Sequence, residues 1–441
     1  MIKTVDPKIK LIDSPLTSRQ AILAPKRADR GGLTEALERR IEEMNYFDIT
    51  PVDCEVTKFL GLPYIEKTPC VYRPGKEVGT TREHARINHD GEIIVHPTYI
   101  YPGQNGWDNS PWLMRVIDNM RPLADRVDFE TGVVYGNNRT KDGLVETMDA
   151  KGKDYVVIIS PHHIVTAHTI DFGAMAKLEQ IFTGRELKDP DIGYVSVFSN
   201  NAGLPQKKFL DIPKSGDLEV LLRQLLHSSD GNISPEAKDA LTATINRLEG
   251  YYKSDGFLSG ASQPHPHARV ISLPVLPKRV EEGYTRVEND IGNENLFHDY
   301  FLKQGLLIEE GRYFSLVADP VPEYNGGLLI IAKERQNIVE MSNDELKELG
   351  RMRGLARVMQ EILYGGLPSN DYMVQTFGDQ RSKYPNTRFS LALVPRGNVH
   401  AGLELGTKIV GLFMDPKVLA ESMKHLKEKY STHFSRYVSV A

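Results

Sequence analysis

Cysteine, excess positive charge and long apolar runs are all scarce in this chain. Its 441 residues include two cysteines, Cys54 and Cys70, too few for a disulfide framework and consistent with a reducing cytoplasm. Lys and Arg total 54 against 59 Asp and Glu, and the formal net charge of -5 argues against broad nucleic-acid binding. No window approaches the roughly 18 apolar residues of a membrane helix, and Met1–Asp13 has no apolar signal core. The sequence therefore predicts a soluble cytoplasmic protein without membrane or nucleic-acid partners.

Short runs rich in β-branched or aromatic residues, bounded by Pro, Gly, Asn or Asp, predict strands along the whole chain. These runs are Gln20–Leu23, Trp112–Ile117, Tyr155–Ile159, Tyr194–Phe198, Val270–Leu273, Tyr313–Ala318, Gly327–Ile331, Tyr372–Thr376 and Phe389–Val394. Helical patterns lie between them, at Leu33–Met44, Asp171–Phe182, Ser234–Tyr252, Ser342–Leu363 and Leu419–Tyr430. The predicted fold class is α+β, in two related halves that meet near Lys278–Asn295.

The clearest helix signal begins at Ser342. Ser342 and Glu345 have the spacing of a capping box, in which each side chain satisfies a backbone N–H of the first turn. One apolar face follows at helical spacing, and Gly365 and Gly366 are predicted to end the helix.

A histidine motif, Gly260-Ala-Ser-Gln-Pro-His-Pro-His-Ala-Arg269, precedes the apolar run Val270–Leu273. In an extended segment His265 and His267 point the same way, because side chains alternate with period two. One imidazole can attack phosphorus while its other nitrogen donates to a backbone carbonyl, which fixes the tautomer. Ser262 and Arg269 could gather around the same phosphate. The alternative is a proline-stiffened turn that carries two surface histidines.

Six segments in the same order resemble the galactose-1-phosphate uridylyltransferase family, a branch of the histidine-triad superfamily. They are Asp13–Arg30, Trp112–Pro122, Val156–His163, Phe198–Asn200, Ser262–His267 and Pro395–Thr407. The resemblance implies two histidine-triad-like domains, each an antiparallel sheet packed with helices. The first would span residues 1–285 with an insertion at about 203–257, the second residues 286–441. It also implies a homodimer.

The resemblance assigns roles residue by residue. His267 would be the nucleophile, and His265 would position it or bind metal. The remaining substrate-binding residues would be Arg27, Arg30, Asn119, Asn200, Ser262 and Glu404. Some of these residues have an alternative interpretation without a function. Asn119 and Asn200 could be turn residues, because asparagine is common in turns, and Arg27 and Arg30 could be solvated surface charges.

The chain departs from the family pattern at the position after H-P-H-x. Glutamine is usual there, and this chain has Arg269 instead. An arginine adds a full charge and a fork of donors. It could stabilise the nucleotidyl intermediate or pair with an extra substrate phosphate.

The predicted metal site is incomplete. Many family members bind zinc through two cysteines and two histidines, and this chain matches three positions with Cys54, His163 and His265. A tetrahedral site needs four ligands, so Asp53, Glu55 or Cys70 would have to complete it. Zinc is therefore a candidate cofactor, and no organic cofactor is expected.

Two further departures concern the second half and the insertion. The second H-x-H of the family is absent from Phe389–Pro395, so its metal site should be missing. The roughly fifty residues from Gly203 to Phe257 should emerge near the active site, as a lid or as a tolerated surface excursion.

The leading hypothesis is a nucleotidyltransferase that moves a nucleoside monophosphate from a nucleotide sugar, through a covalent histidine adduct, to a sugar 1-phosphate or another phosphate acceptor. The first alternative is a phosphorylase that acts on an NDP-sugar or a dinucleoside polyphosphate. A different class is a nucleotide-binding protein without catalysis. A hydrolase fits less well, because histidine-triad hydrolases have a third histidine where Arg269 stands.

Overall fold

The computed structural model describes residues 10–13, 20–23, 37–38, 41–42, 72, 74, 77–104, 107, 110–120, 122–125, 139–142, 145–148, 150–162, 167–201, 265–290, 300–364, 369–396, 407, 409–412 and 414–434. Among these residues, none of the helices combines the length and the apolar character needed to cross a membrane.

Strands dominate the order of elements in the described residues. They are β1 (Lys10–Asp13), β2 (Gln20–Leu23), β3 (Glu83–Asn88), β4 (Ile93–Ile100), β5 (Trp112–Asp118), β6 (Arg139–Asp142), β7 (Val145–Met148), β8 (Asp154–Ile158), β9 (Tyr194–Asn201), β10 (His267–Leu273), β11 (Leu307–Glu310), β12 (Phe314–Ala318), β13 (Leu328–Ala332), β14 (Ser369–Val374), β15 (Ser390–Pro395) and β16 (Ile409–Leu412).

Helices lie between the strands in both halves. They are α1 (Phe172–Glu186), α2 (Lys278–Asp290), α3 (Asn343–Tyr364), α4 (Asp379–Lys383), α5 (Pro416–Lys429) and α6 (Ser431–Phe434). Residues 37–38, 41–42 and 300–303 are also helical.

One antiparallel sheet of eleven strands contains strands from both halves of the chain. Its order is β11-β12-β13-β15-β14-β9-β10-β8-β5-β3-β4. The two halves join where β14 pairs with β9, so the hydrogen-bonded ladder is continuous across them. Two smaller sheets accompany it: β1, β2 and β16, in which β16 runs parallel to β2, and the pair β6–β7.

The two faces of the large sheet have different neighbours. Val157, Ala268 and Val197 belong to the main hydrophobic core, which also contains the buried residues of α1 and α3. Val156 and Ile158, which alternate with Val157 along β8, belong to a separate small cluster. Because side chains alternate along a strand, the helices cover one face, and the other face is left for the site described below.

Helix α1 crosses α3 beneath the sheet at a contact between two glycines. A Cβ built on Gly350 of α3 would lie 2.3 Å from the nitrogen and 2.5 Å from the Cα of Gly173, in the first turn of α1. The absent side chain therefore allows the two backbones to touch. Asp171 caps α1 by accepting hydrogen bonds from the Gly173 and Ala174 amides, at 3.0 and 2.9 Å.

A buried ion cluster joins the two halves under the β9–β14 junction. Arg353 of α3 donates to Glu179 of α1, at 3.1 and 2.8 Å, and to both carboxylate oxygens of Asp371 on β14, at 2.9 Å each. Asp371 also accepts from the backbone N–H of Ser199 on β9 at 3.0 Å and from the Ser199 hydroxyl. All three charged side chains are fully buried. The cluster therefore connects two helices and two strands across the middle of the sheet.

The α+β class is confirmed, with a mixed arrangement of helices and antiparallel sheet. The capping box is confirmed as well: the Ser342 N–H donates to Glu345 at 2.7 Å, and the Glu345 N–H donates to the Ser342 hydroxyl at 3.3 Å. Most predicted strands are within a few residues of the observed ones. The prediction of a strand at Tyr372–Thr376 was wrong in its bounds, because the observed strand β14 is Ser369–Val374.

Three elements of the large sheet, β3, β4 and β11, were missed. Part of the segment Lys278–Asn295 forms the helix α2, which was not predicted. The helix predicted at Ser234–Tyr252 and the helix stop at Gly365 and Gly366 lie outside the described residues. The proposed domain boundary at residue 285 stays a prediction.

Candidate active site

The H-P-H segment leads into β10, a strand in the middle of the large sheet. His267 is the first residue of β10 and pairs with Ile158 on β8 and with Asn200 on β9. Directly opposite residues in antiparallel strands place their side chains on the same face. His267 therefore lies on the face of Ile158, opposite the helices.

His267 has the geometry of an oriented nucleophile. Its Nδ1 lies 2.8 Å from the carbonyl oxygen of His265 and must donate to it, which puts the ring proton on Nδ1 and leaves the lone pair on Nε2. In the described part of the chain Nε2 has no hydrogen-bond partner. Burial lowers the pKa of the His267 imidazole, and the nearby positive charge of Arg269 also lowers it. The hydrogen bond to the His265 carbonyl raises this pKa but is outweighed. These contacts favour a neutral ring with Nε2 as the reactive atom.

His265 lies behind His267 and anchors the segment. It is fully buried, and its Nε2 lies 2.6 Å from the carbonyl oxygen of Ser160, just beyond the end of β8. Its ring meets Tyr72 edge-on, with centroids 5.9 Å apart. The Pro266 carbonyl accepts from the Ile159 N–H at 3.2 Å. The H-P-H backbone is therefore tied to β8, which fits the predicted positioning role of His265.

Of the predicted zinc ligands, His265 alone lies within the described residues. While Nε2 donates to Ser160, only Nδ1 of this ring could coordinate a metal. Within the described residues no group of three or more His, Cys, Asp or Glu side chains is arranged to hold a metal ion. Cys54 and His163 lie outside these residues, so zinc stays a prediction and no chemical step below depends on it.

Asn200 is next to His267 in the sheet. It is the cross-strand partner of His267 on one side and of Asn370 on the other. The Asn370 Nδ2 donates to the Asn200 Oδ1 at 2.7 Å. Asn200 therefore lies beside His267 in the sheet, and its role as a phosphate donor stays a prediction. The sequence did not indicate Asn370.

Arg269 lies two residues beyond His267 on the same face and is bound to a carboxylate. Its Nε donates to the Asp154 Oδ1 at 3.1 Å, and its Nη2 donates to the Asp154 Oδ2. The guanidinium also lies over the Phe198 ring, 5.5 Å from the centroid. The Asp154 carboxylate is fully buried, whereas the Arg269 side chain is 16% exposed. The charge that replaces the usual glutamine is therefore neutralised locally, and a small part of the side chain stays accessible.

Asn119 shares the same carboxylate. Its Nδ2 donates to the Asp154 Oδ2 at 3.1 Å, and the Leu123 N–H donates to the same oxygen at 2.9 Å. Asn119 and Arg269, two of the predicted site residues, are thus joined through Asp154. Nothing in the sequence singled out Asp154, because its role depends on the pairing of β8 with β10.

Asp118, at the end of β5, is the centre of a neighbouring ion cluster. Arg82 donates to it at 2.6 Å, the His84 Nε2 lies 2.9 Å from its Oδ1, and the Lys153 Nζ lies 3.5 Å away. Burial opposes ionisation of this carboxyl, but the His84 hydrogen bond and the neighbouring positive charges outweigh it and lower the pKa of Asp118 to about 2. This cluster fixes the backbone next to Asn119.

The remaining predicted residues cannot be placed relative to His267. Arg27, Arg30, Ser262 and Glu404 lie outside the described residues, as does the insertion at about 203–257. The location and the role of the insertion therefore stay predictions.

Comparison with known proteins supports the same fold and family. No family model matches the chain. ADP-glucose phosphorylase of Arabidopsis thaliana is 26% identical over 338 residues, which cover 73% of this chain and 76% of that protein. The crystal structure of an ADP-glucose phosphorylase from Arabidopsis thaliana with bound ADP-glucose has a TM-score of 0.57 at 19% identity, covering 95% of this chain and 99% of the other. A GalT-like protein from Arabidopsis thaliana has the same TM-score at 18% identity and covers 95% and 98%.

The relative and the structural neighbours support the assignment of this chain as a divergent member of the galactose-1-phosphate uridylyltransferase family. They also support an enzyme of the nucleotidyltransferase or phosphorylase type. The family's H-P-H lies at the beginning of β10, and its F-x-N asparagine lies directly opposite on β9.

Proposed function

We propose that the protein transfers a nucleoside monophosphate from a nucleotide sugar to a phosphate acceptor through a covalent adduct on the His267 Nε2. The observation that carries this proposal is the hydrogen bond from the His267 Nδ1 to the His265 carbonyl, which directs the Nε2 lone pair away from its own loop. Among the described residues none hydrogen-bonds to Nε2, which supports a role for this atom in attack on a donor.

In the first step the Nε2 lone pair attacks the α-phosphorus of the donor. A nitrogen–phosphorus bond forms as the bond from the α-phosphorus to the bridging oxygen breaks in line, and the electron pair leaves with the sugar 1-phosphate. The ring then carries the nucleotidyl group and a positive charge, which the His265 carbonyl stabilises through Nδ1–H. No proton has to be removed from the nucleophile, because Nε2 is already unprotonated.

In the second step an oxygen of the acceptor phosphate attacks the same phosphorus. The nitrogen–phosphorus bond breaks, its electron pair returns to Nε2, and a new pyrophosphate bond is formed. Asn200, directly opposite His267, would donate a hydrogen bond to the transferred phosphate in both steps.

The acceptor has two candidates. A sugar 1-phosphate would make the protein a transferase, and inorganic phosphate would make it a phosphorylase. Arg269 favours inorganic phosphate, because a guanidinium on the same face as His267 adds donors for a small anion that lacks a sugar to bind. The relative named ADP-glucose phosphorylase makes ADP-glucose the first donor to test.

The test is the intact mass of the protein after incubation with ADP-glucose, UDP-glucose, GDP-mannose or nucleoside triphosphates, recorded at mildly basic pH to preserve phosphohistidine. We expect a gain of one nucleoside monophosphate in the wild type and none in His267→Ala. His425→Ala, which removes a half-exposed histidine that contacts Glu38, is the matched control and should still form the adduct.

The purified adduct then identifies the acceptor. Inorganic phosphate should release it as a nucleoside diphosphate, whereas glucose 1-phosphate should release it as a nucleotide sugar. If no donor produces an adduct although calorimetry detects nucleotide binding, the covalent mechanism is wrong and a nucleotide-binding protein without catalysis becomes the better description.

A further inference from the structure

Three side chains form a row across the sheet at the site. His267 on β10 pairs with Asn200 on β9, and Asn200 pairs with Asn370 on β14. Adjacent strands lie about 4.8 Å apart and directly opposite side chains share a face. Asn370 therefore lies about 10 Å from His267, with Asn200 between them, and it belongs to the second half of the chain.

The hydrogen bond between the two asparagines orients the Asn200 amide. The Asn370 Nδ2 donates to the Asn200 Oδ1 at 2.7 Å, so this oxygen is directed toward β14. The oxygen and nitrogen of a planar amide diverge from the same carbon, and the Asn200 Nδ2 is consequently directed away from β14, toward the β10 side. The donor end of Asn200 therefore faces His267.

This orientation matters because phosphate oxygens only accept hydrogen bonds. A donor aimed at the transferred phosphate stabilises the charge that develops there, whereas a carbonyl oxygen in the same place would repel it. An Asn200 amide turned by half a rotation would have the same shape and the wrong polarity.

The position of Asn370 is fixed from the opposite face of the sheet. Its neighbour Asp371 is the cross-strand partner of Ser199 and accepts from the Ser199 N–H at 3.0 Å. Arg353 binds Asp371 through two hydrogen bonds of 2.9 Å. The register that places Asn370 beside Asn200 is thus held by fully buried groups.

We propose that Asn370 is a positioning residue for nucleotidyl transfer, which holds the Asn200 amide with its N–H2 toward the phosphate on His267. This inference depends on the proposed function. It gives the second half of the chain, which lacks an H-x-H of its own, a direct influence on the reacting group.

The experiment measures the single-turnover rate of adduct formation with the donor that labels the wild type. Asn370→Asp keeps the shape but replaces the amide donor with a carboxylate, which should attract the Asn200 N–H2 and present its oxygen to the phosphate. We expect a rate at least about 10-fold lower, because loss of one oxyanion donor lowers a rate by about 10²–10³-fold, with little change in the donor concentration at half-maximal rate. Asn370→Ala should give a smaller loss.

Two features distinguish positioning from general damage. In an Asn200→Ala background the change Asn370→Asp should have little further effect, because the residue it acts through is gone. At acidic pH, where the introduced carboxyl is protonated and can donate again, the rate relative to wild type should partly recover. Asn343→Asp adds the same charge at the first residue of α3, under the opposite face, and should react like wild type.

The outcomes separate the two proposals. Absence of an adduct in the wild type would overturn the proposed function and this inference with it. A wild-type adduct together with unchanged rates in Asn370→Asp and Asn370→Ala would overturn this inference alone. The same would follow from a full effect of Asn370→Asp in the Asn200→Ala background.

Discussion

The crossing of α1 and α3 predicts opposite effects for two glycine-to-alanine changes. Alanine stabilises a helix interior by about 1 kcal/mol relative to glycine. At Gly184 of α1 the new Cβ would meet only the side chain of Val339, at 3.4 and 4.0 Å, which is ordinary contact. At Gly350 it would lie 2.3 Å from a backbone nitrogen and 2.5 Å from a Cα of Gly173.

The steric term should win at Gly350 because backbone atoms cannot rotate aside as a side chain can. Overpacking costs about 1–3 kcal/mol, and the overlap at Gly350 is with backbone, so the upper part of that range applies. Subtracting the propensity gain leaves a net loss of about 2 kcal/mol for Gly350→Ala. Gly184→Ala should gain up to about 1 kcal/mol.

Differential scanning calorimetry at one scan rate compares the two variants with wild type. A change of 1 kcal/mol shifts the Tm of a large chain by about 2 °C, so Gly350→Ala should melt about 4 °C lower and Gly184→Ala up to about 2 °C higher. A Gly350→Ala variant as stable as wild type would show that the helices do not cross in backbone contact, and the arrangement of α1 against α3 would be wrong.

Two further perturbations test the surroundings of the site. Asp118→Asn should lower the free energy of unfolding by about 2 kcal/mol near neutral pH. Because the pKa of Asp118 in the folded protein is lowered to about 2 from 3.8, the difference in stability between variant and wild type should disappear as the pH falls from 3.8 to about 2. Urea titrations in which this difference stays constant from pH 6 to pH 2 would contradict the role of Asp118 in the ion cluster. Asp154→Asn should destabilise by about 2 kcal/mol, since it leaves Arg269 largely buried without its counter-charge. The double change Asp154→Asn with Arg269→Gln should recover most of that loss in the same assay, and a double variant no more stable than Asp154→Asn would refute the pairing.

Local signals in the sequence account for the elements that were predicted well. The strand at Gln20–Leu23 was predicted at its observed ends, and the helix α3 was found from its capping box and apolar face. These signals depend on neighbouring residues alone, which makes them readable without the fold.

The errors arose where distant partners decide the structure. Ser369, Asn370 and Asp371 are typical of a turn, yet they begin β14, because Arg357 donates to the Ser369 hydroxyl and Arg353 binds Asp371. Helix α2 was missed for a different reason. Val280, Tyr284 and Val287 have helical spacing, but the charged segment around them was interpreted as the junction between the two halves.

The candidate residues at the centre of the site could be selected from the sequence, but the residues around them could not. The H-P-H motif indicated His267 and His265, and the F-x-N motif indicated Asn200; their roles stay predictions. Asp154 and Asn370 were missed, because their roles depend on which strands pair and in what register. Those pairings join residues more than a hundred positions apart, and no short motif encodes them.

The pairing of β9 with β14 also has a consequence for any shortened form of the protein. A polypeptide that stopped before residue 300 would lose β14, and β9 would become an outer strand with its N–H and C=O groups unpaired. The unpaired edge of such a strand can pair with strands of other chains. The ion cluster of Arg353 and Asp371 next to β9 would also be lost. The H-P-H motif is therefore contained in the first half of the chain, but that half is expected to aggregate when it is synthesised without the second.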